Sequence, residues 1–349
     1  MEQKNKTHEL NIEEREHLKK RITASIFKYQ RYKKNTRYGF RSAGIAIAIL
    51  FAFGIYTYTY NYQTASIESY VENSNISIDE QTDNVILVLE EGESVNIDGD
   101  NSNIKYSATG EKVIIGKEGK LNQANTKNNE VVYNTLIVPY GKRSQIQLAD
   151  GTKVWLNSGS KLVYPVVFNE KRREVYLEGE GIFDVTHNKR QPFIVLSKNH
   201  EIEVLGTLFN VSNYNDDDNI STTLKNGSVQ IKYKTDSFFK GNETLKILPG
   251  TQSVYRKSAN SIFSKNVDVD KYFSWREGVF IFKNDDLEYI MKRLSRYYNI
   301  EIVVNNNELL GHTFSGYLDL KENVENVIRI IKETSDFEYS LNDNQILIN

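Results

Sequence analysis

From Ser42 to Ile67 the chain runs 26 residues without a charged side chain, and within that run Ala43 to Tyr56 (AGIAIAILFAFGIY) is almost wholly apolar. About 20 such residues in a helix match the roughly 30 Å hydrocarbon layer of a bilayer. The strongly apolar part is shorter, and the run through Tyr56, Tyr58, Tyr60 and Tyr62 extends it with side chains suited to the headgroup layer. The flanks carry as much information. Residues 1–41 hold 12 Lys+Arg against 5 acids, whereas the rest of the 349-residue chain holds 32 against 41. Ten Lys/Arg fall between Arg15 and Arg41, and none between Ser42 and Ile104. Positive charge collects on the cytoplasmic side of a span, so the pattern places the N-terminus in the cytoplasm and the bulk of the chain outside it. A cleaved signal peptide needs a shorter basic region and a small-residue cleavage site. A buried core helix leaves the charge contrast without a cause. The expectation is a single transmembrane helix at 42–62.

The length allows two or three domains, and 39% hydrophobic with 26% charged residues is an ordinary globular mix. No Cys is present, which removes disulfides, thiolate catalysis and Cys-ligated metal. In the basic arm, Leu18, Ile22, Ile26 and Tyr29 recur at helical spacing. That face suits a cytoplasmic partner, or equally a helix lying against anionic headgroups.

Beyond the span, 63–84 is polar and weakly periodic and reads as a tether. Short apolar runs then follow one another, among them Val85 to Leu89, Lys112 to Ile115, Ile146 to Leu148, Val154 to Leu156 and Val175 to Leu177, separated by Gly, Asp and Asn turns. This predicts an all-β domain over 85–267, a β-sandwich or a β-solenoid. From Asp268 the period changes. Helices at Asp285 to Tyr298 and Asn323 to Lys332 carry the stripes Leu287, Ile290, Met291, Leu294 and Val324, Val327, Ile328, Ile331, between strands at Val279 to Lys283, Ile300 to Val304, Thr313 to Leu318, Phe337 to Leu341 and Gln345 to Ile348. The sum is a β-α-β-β-α-β domain over 268–349. The fold class expected is mainly β with an α+β C-terminal domain, preceded by the arm at 1–41 and the transmembrane helix.

Catalytic chemistry does not assemble. His187, His200 and His312 are scattered, without metal-site spacing. Asp216-Asp217-Asp218 lacks the spacing and bidentate Glu of a Ca²⁺ loop and reads as solvated. Ser158 lacks a nucleophile elbow, and no phosphate or dinucleotide loop occurs. No enzyme activity, cofactor, metal or direct nucleic-acid binding is expected. Asp150-Gly151, Asn157 to Gly159 and Gly179 to Gly181 read as turn chemistry, and Trp155, Phe183 and Phe193 as core.

Several strings in the β region, in order, resemble the periplasmic part of FecR-family anti-sigma factors: Val138-Pro139 and Gly141; Leu148-Ala149-Asp150-Gly151-Thr152; Val154-Trp155-Leu156-Asn157; Tyr164-Pro165; Arg173, Val175, Leu177, Gly179-Glu180 and Phe183; Pro192-Phe193; Gly206-Thr207 with Phe209; Gly227-Ser228-Val229; and Leu248-Pro249-Gly250. Trp275, Gly278-Val279-Phe280, Phe282, Tyr297-Tyr298 and Phe314-Ser315-Gly316 look like the C-terminal domain of such regulators, which is similar to the signalling domain of TonB-dependent transducers. The resemblance implies a membrane-bound sigma regulator. Its cytoplasmic arm would hold an extracytoplasmic-function sigma factor, with Leu18, Ile22, Ile26 and Tyr29 as the contact. Its C-terminal domain would meet the signalling domain of an outer-membrane TonB-dependent transporter near Phe280, Phe282 and Phe314, and an intramembrane protease would release the arm. The arm is shorter than is usual in the family and lacks its Trp, since both Trp residues fall beyond the span. A membrane-anchored periplasmic glycan- or ligand-binding module is the alternative.

Overall fold

The computed structural model describes residues 11–63, 66–74, 83–89, 92–99, 101–117, 119–124, 126–127, 130–169, 171–197, 200–233, 243–335, 337–342 and 344–349. Two compact units divide the chain, Met1–Thr64 and Ala65–Asn349.

The first unit is one helix, α1 (Ile12–Gln63). Asn11 opens it by accepting from the Glu13 amide at 2.8 Å, and Glu13 and Glu14 place negative charge on the first turn, where the helix dipole favours it. No Pro interrupts the sequence that follows, and arm and apolar stretch lie in one continuous helix. Among the described residues, no helix is long and apolar enough to cross a membrane. The span expected at 42–62 is therefore not confirmed: Arg41 bounds the run from Ala43 to Tyr56 on one side and the Thr/Tyr run dilutes it on the other.

The second unit opens with α2 (Ile67–Asn73), capped by Ser66, inside the stretch that reads as a tether. Ile67 is buried with Val163, Ile194 and Leu196. Seven residues are too few for a periodicity to show in sequence. Residues 64–65 and 75–82 of that stretch lie outside the described residues.

The strands that follow are β1 (Val85–Val88), β2 (Ser94–Ile97), β3 (Asn101–Tyr106), β4 (Lys112–Ile115), β5 (Gly119–Asn122), the short pair β6 (Thr126–Lys127) and β7 (Glu130–Val131), β8 (Tyr133–Val138), β9 (Arg143–Gln147) and β10 (Lys153–Leu156). Next come β11 (Ser160–Pro165), β12 (Arg173–Asp184), β13 (Phe193–Ser197), β14 (His200–Val204), β15 (Leu208–Asn213), β16 (Asn219–Asn226), β17 (Val229–Tyr233), β18 (Glu243–Ile247), β19 (Thr251–Arg256) and β20 (Ser261–Asn266). All but the β6/β7 pair form two layers. The first has the order β2-β1-β8-β11-β12-β13-β14-β17-β18. The second has the order β5-β4-β3-β9-β10-β12-β15-β16-β19-β20. Strand β12 belongs to both: its first half pairs with β11 and its second with β10 and β15. Only β12/β13 and β3/β9 run parallel among these pairings, which is a sandwich and not a stacked parallel solenoid. Alternate side chains from both layers, including Leu87, Leu136, Val175, Val195, Ile146, Leu156, Phe183 and Phe209, form one core.

Arg173 sits in that interior as an ion, its Nη1 donating to Asp150 Oδ2 at 2.6 Å and its Nε to the Gln191 carbonyl at 2.9 Å. The Asp-Gly-Thr turn thus carries a buried charge partner besides its turn geometry. Trp155 departs from the expectation. Val154 and Leu156 point inward, so Trp155 lies on the outer face of the second layer, under the Arg276 guanidinium.

A helix α3 (Asp270–Phe273) and a 3-10 turn (Ser274–Glu277) follow. Their Tyr272, Phe273 and Trp275 pack with Ile182 and Trp155 on that outer face. The rest is an α+β module: β21 (Val279–Asp286), α4 (Leu287–Tyr298), β22 (Glu301–Val304), α5 (Asn307–Leu310), β23 (Thr313–Asp319), α6 (Val324–Lys332), β24 (Tyr339–Asn342) and β25 (Gln345–Ile348). Asp286 and Asn323 cap α4 and α6. β21 pairs with β23, and β25 lies between β22 and β24.

Candidate functional site

Three places can meet a partner or each other. The first is the stripe on α1. Leu18, Ile22, Ile26 and Tyr29 are exposed by 46%, 50%, 49% and 67%, and the structure brings them to one face of one helix. An apolar stripe half open to water on a helix is a surface suited to packing against another protein.

The second is the strand pair β21/β23. Phe280 and Phe282 are buried in the module's core with Leu287, Met291 and Ile328, while Phe314 is only partly covered. Phe280 and Phe282 are therefore core residues first, and Phe314 is the member of the group nearer the surface. β23 pairs on one side with β21; among the described residues its other side has no strand partner. Beside it lies a groove of about 760 Å³ lined by Phe282, Phe314, Tyr317, Ile330, Ile331 and Thr334. Tyr317 is 76% exposed. An open strand edge beside a groove of mixed aromatic, aliphatic and polar lining can take an added strand, with main-chain bonds to the edge and alternate side chains in the groove.

The third is a seam between the sandwich and the module, which the sequence reading misses. Glu180, on the outward-facing register of β12, is buried and accepts from Asn157 Nδ2 at 2.8 Å and Asn210 Nδ2 at 3.1 Å. Arg293 of α4 approaches it to 3.5 Å and donates to the Tyr289 hydroxyl at 2.9 Å. Arg296 stacks 3.8 Å over the Tyr214 ring and pairs with Asp216 at 2.8 Å and Asp217 at 2.7 Å. Lys292 reaches the same two carboxylates at 3.2 and 2.8 Å.

Burial alone raises the carboxyl pKa of Asp216 and Asp217, but the hydrogen bonds and charge of Arg296 and Lys292 outweigh it and hold both below the usual range. Asp218 accepts from Ser258, and Lys257 donates to the carbonyls of Tyr214 and Asp217, so the sandwich itself fixes the loop. The solvated loop expected at Asp216-Asp217-Asp218 is thus an ion-pair platform, because a helix distant in sequence brings cations to it. Gly141 completes the seam: its amide donates to the Arg296 carbonyl at 2.9 Å, and a Cβ at its positive φ would sit 3.1 Å from Asn299.

The signal available in sequence was double. Gly141, Asn157 and Glu180 all belong to the motif strings. Lys292, Arg293 and Arg296 line the face of α4 opposite its apolar stripe. No group of three His, Asp or Glu among the described residues could hold a metal ion.

Comparison with known proteins accords with this layout. A family model described as FecR protein matches residues 134–230, and one described as FecR, C-terminal, matches residues 279–348. A crystal structure of a candidate anti-sigma factor from Parabacteroides distasonis ATCC 8503 at 1.65 Å resolution superposes with a TM-score of 0.56 at 29% identity, covering 62% of this chain and 98% of that one. A second structure under the same description, at 2.50 Å, agrees equally well. No curated protein matches. The FecR match lies within the sandwich and the FecR C-terminal match begins directly after Gly278, so that the sandwich carries a FecR domain and the module a FecR C-terminal domain, in the arrangement of a structure described as a candidate anti-sigma factor.

Proposed function

We propose that this protein is a single-pass inner-membrane anti-sigma factor, relaying a signal from an outer-membrane TonB-dependent transporter to an extracytoplasmic-function sigma factor. The observation that carries the reading is the tandem of FecR and FecR C-terminal matches behind a basic helix with an exposed apolar stripe. The arm, 1–41, holds the sigma factor in the cytoplasm through Leu18, Ile22, Ile26 and Tyr29. Residues 42–62 anchor the chain. Support for the anchor comes from the charge contrast across it and from Ile47, Ile49, Leu50, Phe51, Phe53 and Ile55, which are 52% to 72% exposed on α1. So many large apolar side chains in a row call for a nonaqueous surrounding.

The sandwich, 85–267, and the C-terminal segment, 268–349, stand in the periplasm. The free edge of β23 beside its groove, near Phe314, accepts a strand from the transporter's signalling domain. Cleavage near the anchor by an intramembrane protease frees the arm. The test is crosslinking of tagged full-length protein in cells, followed by identification of captured partners. A sigma factor captured by the wild type and lost in Ile22→Asp/Ile26→Asp is the expected result. A stable protein that captures neither a sigma factor nor a transporter refutes the reading.

A further inference from the structure

The seam joins two kinds of contact that respond to water differently. Leading into it, α3 and the 3-10 turn are fixed to the sandwich by apolar packing of Tyr272, Phe273 and Trp275 against Ile182 and Trp155. Gly278, left-handed at φ +78°, then begins the module. Past that residue α4 meets the sandwich through charged pairs, Lys292 and Arg296 with Asp216 and Asp217 and Arg293 with Glu180, through the stacks of Arg296 on Tyr214 and Arg143 on Tyr297, and through the Gly141 amide on the Arg296 carbonyl. The outer part is wet, with the Asp216 and Lys292 side chains 53% and 35% exposed, whereas Glu180 and Arg293 inside are at 4% and 13%.

A cavity of about 30 Å³ remains between them, lined by Glu180, Tyr214, Trp275, Arg293 and Arg296. That is room for water among polar groups. Among the described residues, buried Trp275 Nε1 and Arg296 Nε have no protein acceptor. Apolar packing is lost at full cost when it opens, whereas ions released from a polar seam regain hydration, and polar seams between domains are the ones that open.

We propose that the module from Val279 onwards is held on the sandwich by an electrostatic latch and swings about Gly278 between docked and released states. The cationic face of α4 is the moving half and the Glu180, Asp216 and Asp217 face the fixed half. This holds whichever protein engages β23, and it supplies a two-state element that such a partner can bias.

The chain has no Cys, so Lys153→Cys on the sandwich and Glu325→Cys on the module, both exposed, give a defined spin-label pair in the full-length protein in detergent micelles. Electron–electron distance measurement should show one narrow distance at low salt. A second, broader population should grow at about 1 M NaCl, where the Debye length is about 3 Å. Asp216→Lys/Asp217→Lys should shift the docked-to-released ratio at least about tenfold toward release. Adding Lys292→Asp/Arg296→Asp to it should restore the narrow distance. A single unchanged distance in wild type and reversed variant at every salt overturns the latch. So does a charge swap that folds, by circular dichroism, yet stays released. If the reversed variant unfolds, the salt series on the labelled wild-type background decides alone, and a flat series overturns the proposal.

Discussion

At the residue scale, charges buried in the sandwich set its sensitivities. Arg173 is 1% exposed and its Asp150 partner 12%, so removing one ion strands the other where water cannot reach it. Asp150→Ala should lower stability by about 3 to 5 kcal/mol in urea unfolding; a loss under about 1 kcal/mol would make the pair dispensable. His200 responds to pH. Burial, with a smaller contribution from Lys257, lowers its pKa from 6.5 to about 4. Facing it are the rings of Tyr233 and Tyr255. Above pH 6.5 neither folded nor unfolded chain binds the proton, and stability is complete. Between 6.5 and 4 the unfolded chain binds it and the folded chain does not, so stability falls as pH falls, by up to about 3 kcal/mol. His200→Phe should flatten that slope. An unchanged pH profile would assign the acid sensitivity elsewhere.

At the element scale, a helix with two faces and a strand with one free edge give opposite expectations for neighbouring substitutions. Phe280→Ala opens a cavity in the module core beneath Arg293 and should cost about 3 to 5 kcal/mol of module stability. Tyr317→Lys, on the exposed edge, should change stability by less than about 0.5 kcal/mol while reducing transporter capture. Equal stability loss in the two variants would argue that Tyr317 also packs. The apolar stripes Leu287, Ile290, Met291, Leu294 and Val327, Ile328, Ile331 were legible because each helix has enough turns to repeat its pattern. α2 was not, having too few residues. Strand β12 was legible only in part. Val175 to Leu177 shows an apolar run, but its continuation through Gly179-Glu180-Gly181 into the second layer has no alternation to read.

For the whole molecule, the decisive quantity is topology. A single Cys at Glu13 should resist a membrane-impermeant maleimide in cells with a permeabilised outer membrane, and one at Lys153 should react. Labelling of both, or of Glu13 alone, would remove the proposed anchor orientation. The order of basic helix, short apolar runs and helical stripes is legible along the chain, since charge segregation and a change of period are linear features. Partnership between the last two is not, because Asp216 and Arg296 are 80 residues apart.

By itself, then, the sequence determined the basic arm and its apolar stretch, the mainly β character, the two stripes of the module and the family resemblance. All of these are local patterns of side chains along a chain, which propensity and periodicity record. Only the tertiary structure decided that Trp155 faces outward, that the segment after the apolar stretch docks a helix, and that an acidic loop is an ion-pair platform for α4. Each depends on which distant element covers a surface. Carboxylates in water and carboxylates against a guanidinium look the same in one dimension.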